Sequence, residues 1–330
     1  MLRAASIGLG WWSDELAAAI QGRSERIGIV SCFSRGADRR AAFAEKFGTG
    51  QHDSYDAVLA DPDIDAVILT TPHSLHAEHI ERAAAAGKHV FVEKPLSLTA
   101  ASGRRAAAAC AAAGVVLAVG HNRRFAPAAG IVKRMVADGD FGTLLHLEGN
   151  FSAPGALSYT PDRWRANRVE SPGGGLAGLG IHMIDLLCWM AGPVVQLSAQ
   201  AKRRAAPVDI DDTTSAILEF AAGATGYLGT VFASPKTTFL NVYGTGANAF
   251  ADIDGDRLRV QMAGSAAENR ALESIDTLHA ELAAFADSCR DGTVLWIEPE
   301  EAAHNVAVME AIVESAAQGG QPVRLDEGNR

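Results

Sequence analysis

The chain has 330 residues, more than one compact core usually holds, so two domains are expected. A formal charge of −10 with no basic block argues against nucleic acid or an anionic membrane as partner, and no apolar run is long enough to span a bilayer. Cys32, Cys110, Cys188 and Cys289 stand far apart without a Cys-x-x-Cys spacing, and Met1 leads into a strand rather than a signal core, so reduced thiols and a cytoplasmic location are expected.

Taken in chain order, the first part alternates strand and helix. Leu2–Ile7 is an apolar strand, and Gly8-Leu9-Gly10 leads into a helix with Leu16, Ala17 and Ile20 on one face. Ile27–Phe33 is a second strand and Asp38–Phe47 a second helix. Ala66–Leu69 is a strand cut off by Thr70-Thr71-Pro72, and His73–Ala86 a helix closed by Gly87. The strand His89–Val92 follows, then a helix Ala100–Ala113 capped by Ser97 or Thr99 and closed by Gly114, then the strand Val115–Val119. Such alternation predicts a parallel sheet with right-handed crossovers.

The character changes after His121. A helix near Ala128–Val136 is followed by strand-like runs at Leu144–Phe151, Val194–Ala201, Thr213–Phe220, Thr225–Phe232, Thr238–Tyr243 and Leu258–Met262. Many of these alternate, which predicts a large, mostly antiparallel sheet with one face covered. Ala153–Pro172 is a long polar loop, and the last part returns to helices at Leu278–Arg290 and Pro299–Gln318. The fold class is α/β, and the domains are placed at 1–122 and 123–330.

Glu93-Lys94-Pro95 directly follows a strand late in the alternating half. A lysine there points toward the crevice at the carboxyl ends of the strands, where open α/β sheets bind ligands. Gly8 and Gly10 sit between a strand and a helix, the context a dinucleotide turn requires, with Ser13 as the small third position. An ordinary strand–helix turn accounts for the glycines equally well. At the end of the second strand, about twenty residues on, a ribose-binding acid is expected. The chain has Ser34 and Arg35 there, with Arg39 one turn later, so NADP(H) is favoured and NAD(H) remains possible. His73, His76 and His79 are spaced by three, which drifts about 60° round a helix per step, so no metal site is assigned. One of the three is expected to face the crevice and the others the surface. His182 is placed in the first turn of a helix running to Met190, where the dipole favours a neutral imidazole, with Asp185 one turn on to orient it. Taken alone, a structural histidine accounts for it better.

Together these residues resemble the Gfo/Idh/MocA oxidoreductase family, which includes glucose–fructose oxidoreductase and inositol dehydrogenases. The resemblance spans nearly the whole chain. Its motifs are the Gly8/Gly10 turn, Thr71-Pro72 with His76, Ala86-Gly87-Lys88-His89 and Glu93-Lys94-Pro95. Further on come His121-Asn122-Arg123-Arg124-Phe125, Trp164-Arg165 and Gly180-x-His182-x-x-Asp185.

The resemblance implies a Rossmann domain followed by an α/β domain whose open sheet forms a homodimer or homotetramer. It implies that Lys94 and His182 are catalytic. Lys94 would polarise the substrate oxygen and His182 exchange the hydroxyl proton. Gly8, Gly10, Trp11, Trp12, Ser34, Arg35, Arg39, Thr71, Pro72, His73, His76, Glu93, Lys94 and Asn122 would surround the cofactor. Lys94, Arg124, Trp164, Arg165, His182 and Asp185 would meet substrate. Many members carry an aspartate four residues before this histidine, where the chain has Gly178.

The expected activity is hydride transfer between a nicotinamide cofactor and a secondary alcohol or carbonyl of a sugar, polyol or related cyclic compound. Two other readings are a non-catalytic nucleotide-binding sensor and an NAD-dependent glycoside hydrolase.

Overall fold

The computed structural model describes residues 1–255 and 257–325. Its first part contains β1 (Leu2–Ile7), α1 (Trp11–Ile20), β2 (Ile27–Phe33), α2 (Ala37–Phe47), β3 (Gly50–Gln51), α3 (Tyr55–Ala60) and β4 (Ala66–Leu69). A 3₁₀ turn, His73–Leu75, runs into α4 (His76–Ala85), followed by β5 (His89–Glu93), α5 (Ala100–Ala113) and β6 (Leu117–Gly120). The strands form a parallel sheet in the order β3-β2-β1-β4-β5-β6. Helices cover both faces of such a sheet, so its strands are apolar throughout; Ala66, Val67, Ile68 and Leu69 are all fully buried. The order reverses between β1 and β4, which makes the carboxyl ends of these two strands the place where an open sheet binds a ligand.

The chain continues through a short turn, Asn122–Phe125, into α6 (Pro127–Ala137) and β7 (Leu144–Ser152). After a long loop come α7 (Ile181–Ala191), β8 (Val194–Lys202), β9 (Thr213–Phe220), β10 (Thr225–Val231), β11 (Thr237–Gly244), β12 (Ala247–Ala251), β13 (Arg257–Met262) and β14 (Glu268–Ala271). The helices α8 (Thr277–Asp291) and α9 (Pro299–Ala317) and the short strand β15 (Val323–Arg324) follow. The second sheet runs β14-β13-β12-β11-β7-β10-β9-β8-β15 and is antiparallel except where β10 pairs with β7. Its covered face is made by alternate residues, such as Leu258 and Val260 of β13. Helix α7 lies close on β7 because Gly149 has no side chain; a Cβ there would come within 3.2 Å of Leu187 and Met183.

The chain divides into two compact units, Met1–Asn122 with Asp276–Ala303, and Arg123–Ile275 with His304–Arg330. From the sequence, all of 123–330 is kept together, whereas 276–303 falls in the first of these units. Leu282, Phe285 and Ala286 of α8 belong to the same buried cluster as Leu16, Ile20 and Phe91, with the Phe91 and Phe285 rings 5.8 Å apart edge to face. An apolar stripe tells that a helix is covered on one side, not which sheet covers it. Burying a phenylalanine stabilises by about 1.5–3 kcal/mol, which favours keeping α8 with the first unit. No described helix is long and apolar enough to cross a membrane.

Candidate active site

In the first unit, the glycine turn sits at the carboxyl end of β1. Gly8 has φ +88°, and a Cβ on it would lie 2.8 Å from the Thr71 backbone nitrogen, so only glycine lets this turn pass the end of β4. A Cβ on Gly10 would meet nothing within 4 Å, which leaves room at the start of α1 for a phosphate to approach the backbone. The Ser13 hydroxyl donates to the Gly10 carbonyl at 2.7 Å and tightens the turn. Trp11 is exposed and packs edge-on against Trp12, with ring centroids 4.9 Å apart. These features fit a dinucleotide.

At the end of β2, Arg35 is exposed and Ser34 half-buried. The loop is held by a residue the sequence reading passed over. Arg40 donates to the Ser34 carbonyl at 2.8 Å and pairs with Asp53 at 3.0 Å. Arg39, expected beside Arg35, instead donates to the carbonyls of Leu9 at 2.7 Å and Gly10 at 3.1 Å and pairs with Asp14. Its long side chain reaches carbonyls of the turn, so its charge serves the glycine loop rather than the strand end.

Lys94 is half-buried directly after β5, and Glu93 is buried beside it. The Glu93 carboxylate lies over Gly120 of β6, where a Cβ would be only 2.9 Å from its Oε1. The ring of His76 is fully buried, with Nδ1 2.8 Å from the Pro95 carbonyl and Nε2 3.0 Å from the Thr71 carbonyl. The ring thus sits between the loop after β4 and the loop carrying Lys94, its one N–H donating to one of the two carbonyls. His73 is also buried, its ring 5.7 Å from that of His76. His79 is half-buried 3.3 Å from the Thr71 hydroxyl, and burial holds its imidazole below the usual histidine range. The expectation that two of these histidines lie on the surface is thus wrong, because α4 presses this face onto the sheet. No cluster of described residues could hold a metal ion. The Asn122 amide donates to the Thr277 hydroxyl at 2.9 Å.

In the second unit, His182 lies near the start of α7, but the chain is already helical before it. A π-helical turn, Leu176–Gly180, runs into α7 without a break, with Gly175 and Gly180 both in right-handed helical conformation. His182 is therefore not at an open helix terminus, and the dipole argument for its neutrality lapses. Its Nε2 is 3.2 Å from the Arg123 guanidinium, which itself stacks 4.3 Å above the Phe151 ring. A Cβ on Gly178 would meet nothing within 4 Å, so a side chain at this position would have room.

The Asp185 carboxylate is engaged by side chains from other elements. Arg124 grips it through Nη2 at 2.8 Å and Nε at 3.0 Å, and the Asn305 amide donates to it at 2.9 Å. The two charged side chains, both expected to meet substrate, are 3% and 1% exposed. An arginine fork matches a carboxylate in two bonds, and burial makes that pair hard to open. Trp164 and Arg165 are half-buried in the long loop, with the Arg165 guanidinium 4.1 Å over the Trp164 ring.

Two family models match this chain. The oxidoreductase family with an NAD-binding Rossmann fold, GFO/IDH/MocA, covers residues 2–121, and the C-terminal domain model of the same family covers residues 131–249. The chain belongs to this family. An oxidoreductase of Rhizobium meliloti is 30% identical over 316 residues, 90% of this chain and 91% of that one. D-xylose 1-dehydrogenase (NADP(+)) of Haloferax volcanii is 28% identical over 323 residues, 95% of this chain and 93% of that one. The crystal structure of an aldose–aldose oxidoreductase from Caulobacter crescentus superposes with a TM-score of 0.89 at 25% identity, covering 98% and 99% of the two chains. The protein is an NAD(P)-dependent oxidoreductase acting on a small molecule.

Proposed function

We propose that this enzyme oxidises or reduces a CH–OH centre of a sugar, polyol or related cyclic compound, with Lys94 and His182 as its catalytic residues. The observation that carries the reading is the position of Lys94. It follows β5 at the same edge of the parallel sheet as the Gly8 turn after β1 and Thr71 after β4. When bound, the nicotinamide supplies the hydride chemistry. The Lys94 ammonium then orients the substrate oxygen and stabilises negative charge on it, and His182 exchanges the hydroxyl proton. The His76 ring keeps the Lys94 loop in register through the Pro95 carbonyl. Glu93, Thr71, Pro72, His73 and Asn122 complete the cofactor side, and Trp164 with Arg165 the substrate side. The relatives named above act on sugars or are oxidoreductases, which favours neither the sensor nor the glycoside-hydrolase reading.

The preferred cofactor in this proposal is NADP(H). An exposed arginine at position 35 can pair with a 2′-phosphate, and no carboxylate stands at 34 or 35 to repel one. We further place the protein in the cytoplasm as a homodimer or homotetramer using the second sheet, where Leu145 and Ile217 are exposed at 51% and 60%. Net change in nicotinamide absorbance, followed with NADP(H) and NAD(H) across a panel of sugars and polyols, tests the activity. Turnover with at least one CH–OH substrate is expected. Cofactor binding without net redox across the panel would reject it.

A further inference from the structure

We propose that Arg123 is a positioning residue for His182, holding its imidazole neutral with the proton on Nδ1. The inference rests on the reading of His182 as the proton-exchanging group and adds what sets its proton affinity. The Arg123 Nη1 is 3.2 Å from His182 Nε2. A guanidinium has no acceptor atom and does not lose its proton in proteins, so Nε2 has to be the acceptor in this contact. In a neutral ring the single proton then sits on Nδ1. An imidazolium would instead aim an N–H at a cation.

Arg123 is itself fixed. Its side chain is 13% exposed, its guanidinium lies 4.3 Å above the Phe151 ring, and Asp254 pairs with it at 3.1 Å. Asp254 is shared, since Lys236 reaches the same carboxylate at 2.8 Å. Burial pushes the Asp254 acid up, but Arg123 and Lys236 outweigh it and hold the acid below its ordinary range. The charged groups linked to this imidazole through Arg123, in the turn before α6, are thus Asp254 from the connection between β12 and β13 and Lys236 from the segment before β11. On the helix of His182 itself, Asp185 is taken by Arg124 and Asn305, and Gly178 contributes no side chain.

A histidine held against a guanidinium stays unprotonated to lower pH, and its imidazolium, once formed, is the stronger acid. Such a group is a working base for alcohol oxidation over a wide acid range and a ready proton donor for carbonyl reduction. Accepting a proton at Nε2 requires the guanidinium to move off that atom, so Arg123 also ties the protonation state of His182 to its own position.

The test is nitrogen-detected NMR of the full-length protein, with the His182 signals identified by their absence in His182→Asn. Expected is the Nδ1–H tautomer, with a titration midpoint that rises by about one pH unit in Arg123→Met and is retained in Arg123→Lys. Asp254→Asn, which removes the partner of Arg123 without touching His182, should move the midpoint the other way. An Nε2–H tautomer, or midpoints unmoved by either substitution, would overturn the proposal. Turnover against pH separates the two levels of the argument. If His182→Asn leaves the acid limb of the profile in place, the reading of His182 as the proton-exchanging group fails. If that limb depends on His182 but ignores Arg123→Met, only the role of Arg123 fails.

Discussion

The buried pair between Arg124 and Asp185 makes a demanding prediction, because it decides whether two residues expected at the substrate serve the framework. Asp185→Asn keeps the shape of the side chain and removes its charge. Arg124 then remains buried with its cation uncompensated, and the fork of bonds at 2.8 Å and 3.0 Å loses its anionic partner. With exposures of 3% and 1%, solvent cannot replace what is lost. Breaking such a pair from one side costs about 3–5 kcal/mol. A domain is commonly stable by about 5–15 kcal/mol, so this is a large fraction of the total. In a domain of this size each kcal/mol shifts Tm by about 2–4 °C, so calorimetry should show a transition lowered by on the order of 10 °C. The double variant Arg124→Met with Asp185→Leu replaces both charges by apolar groups and should recover much of the loss. A melting temperature unchanged in Asp185→Asn, accompanied by a raised KM, would refute the reasoning and return both residues to the substrate.

Three further outcomes are expected. His76→Ala removes the ring between the Thr71 and Pro95 carbonyls, leaves the one that accepts its N–H unsatisfied at about 1–3 kcal/mol, and should lower kcat more than it weakens NADP(H) binding measured by fluorescence titration. Burial depresses the His79 and His89 imidazoles, and His89 Nδ1 also accepts the Val116 N–H at 3.0 Å. The unfolded chain therefore binds more protons as pH falls below about 6.5, so stability is full above that value and declines toward the folded pKa; His89→Gln should flatten part of this decline in urea titrations. Arg35→Asp should reverse the order of NADP(H) and NAD(H) affinities by isothermal titration, by placing a repulsive charge at the 2′-phosphate; tighter NAD(H) binding by the unaltered protein would remove the basis for the preference.

Much of the first sheet is legible in the sequence for a physical reason. Strands buried on both faces read as unbroken apolar runs, and β1, β2 and β4 begin and end where the runs Leu2–Ile7, Ile27–Phe33 and Ala66–Leu69 do. The strand Ala247–Ala251 is not legible, because alanine at its inward positions gives little contrast with the half-buried residues between them. The six-residue helix Tyr55–Ala60 is too short to show a period. At the site, local motifs mark Lys94, His182 and the glycine turn, but not the partners. Arg124 and Asp185 are 61 residues apart and Asn305 lies 120 beyond Asp185, so only the fold reveals that the aspartate meets them. The same holds for Arg123, whose neighbour in the motif, Arg124, drew the functional reading although Arg123 is the one that reaches the imidazole.

The central claim is tested most directly by comparing the protein with Lys94→Ala, following nicotinamide absorbance on a substrate found in the sugar and polyol panel while measuring cofactor affinity separately. Loss of one electrostatic stabiliser at the reacting oxygen predicts a rate lowered by about 10²–10³ with cofactor affinity held within a few-fold. Turnover by Lys94→Ala close to that of the unaltered protein would contradict the account.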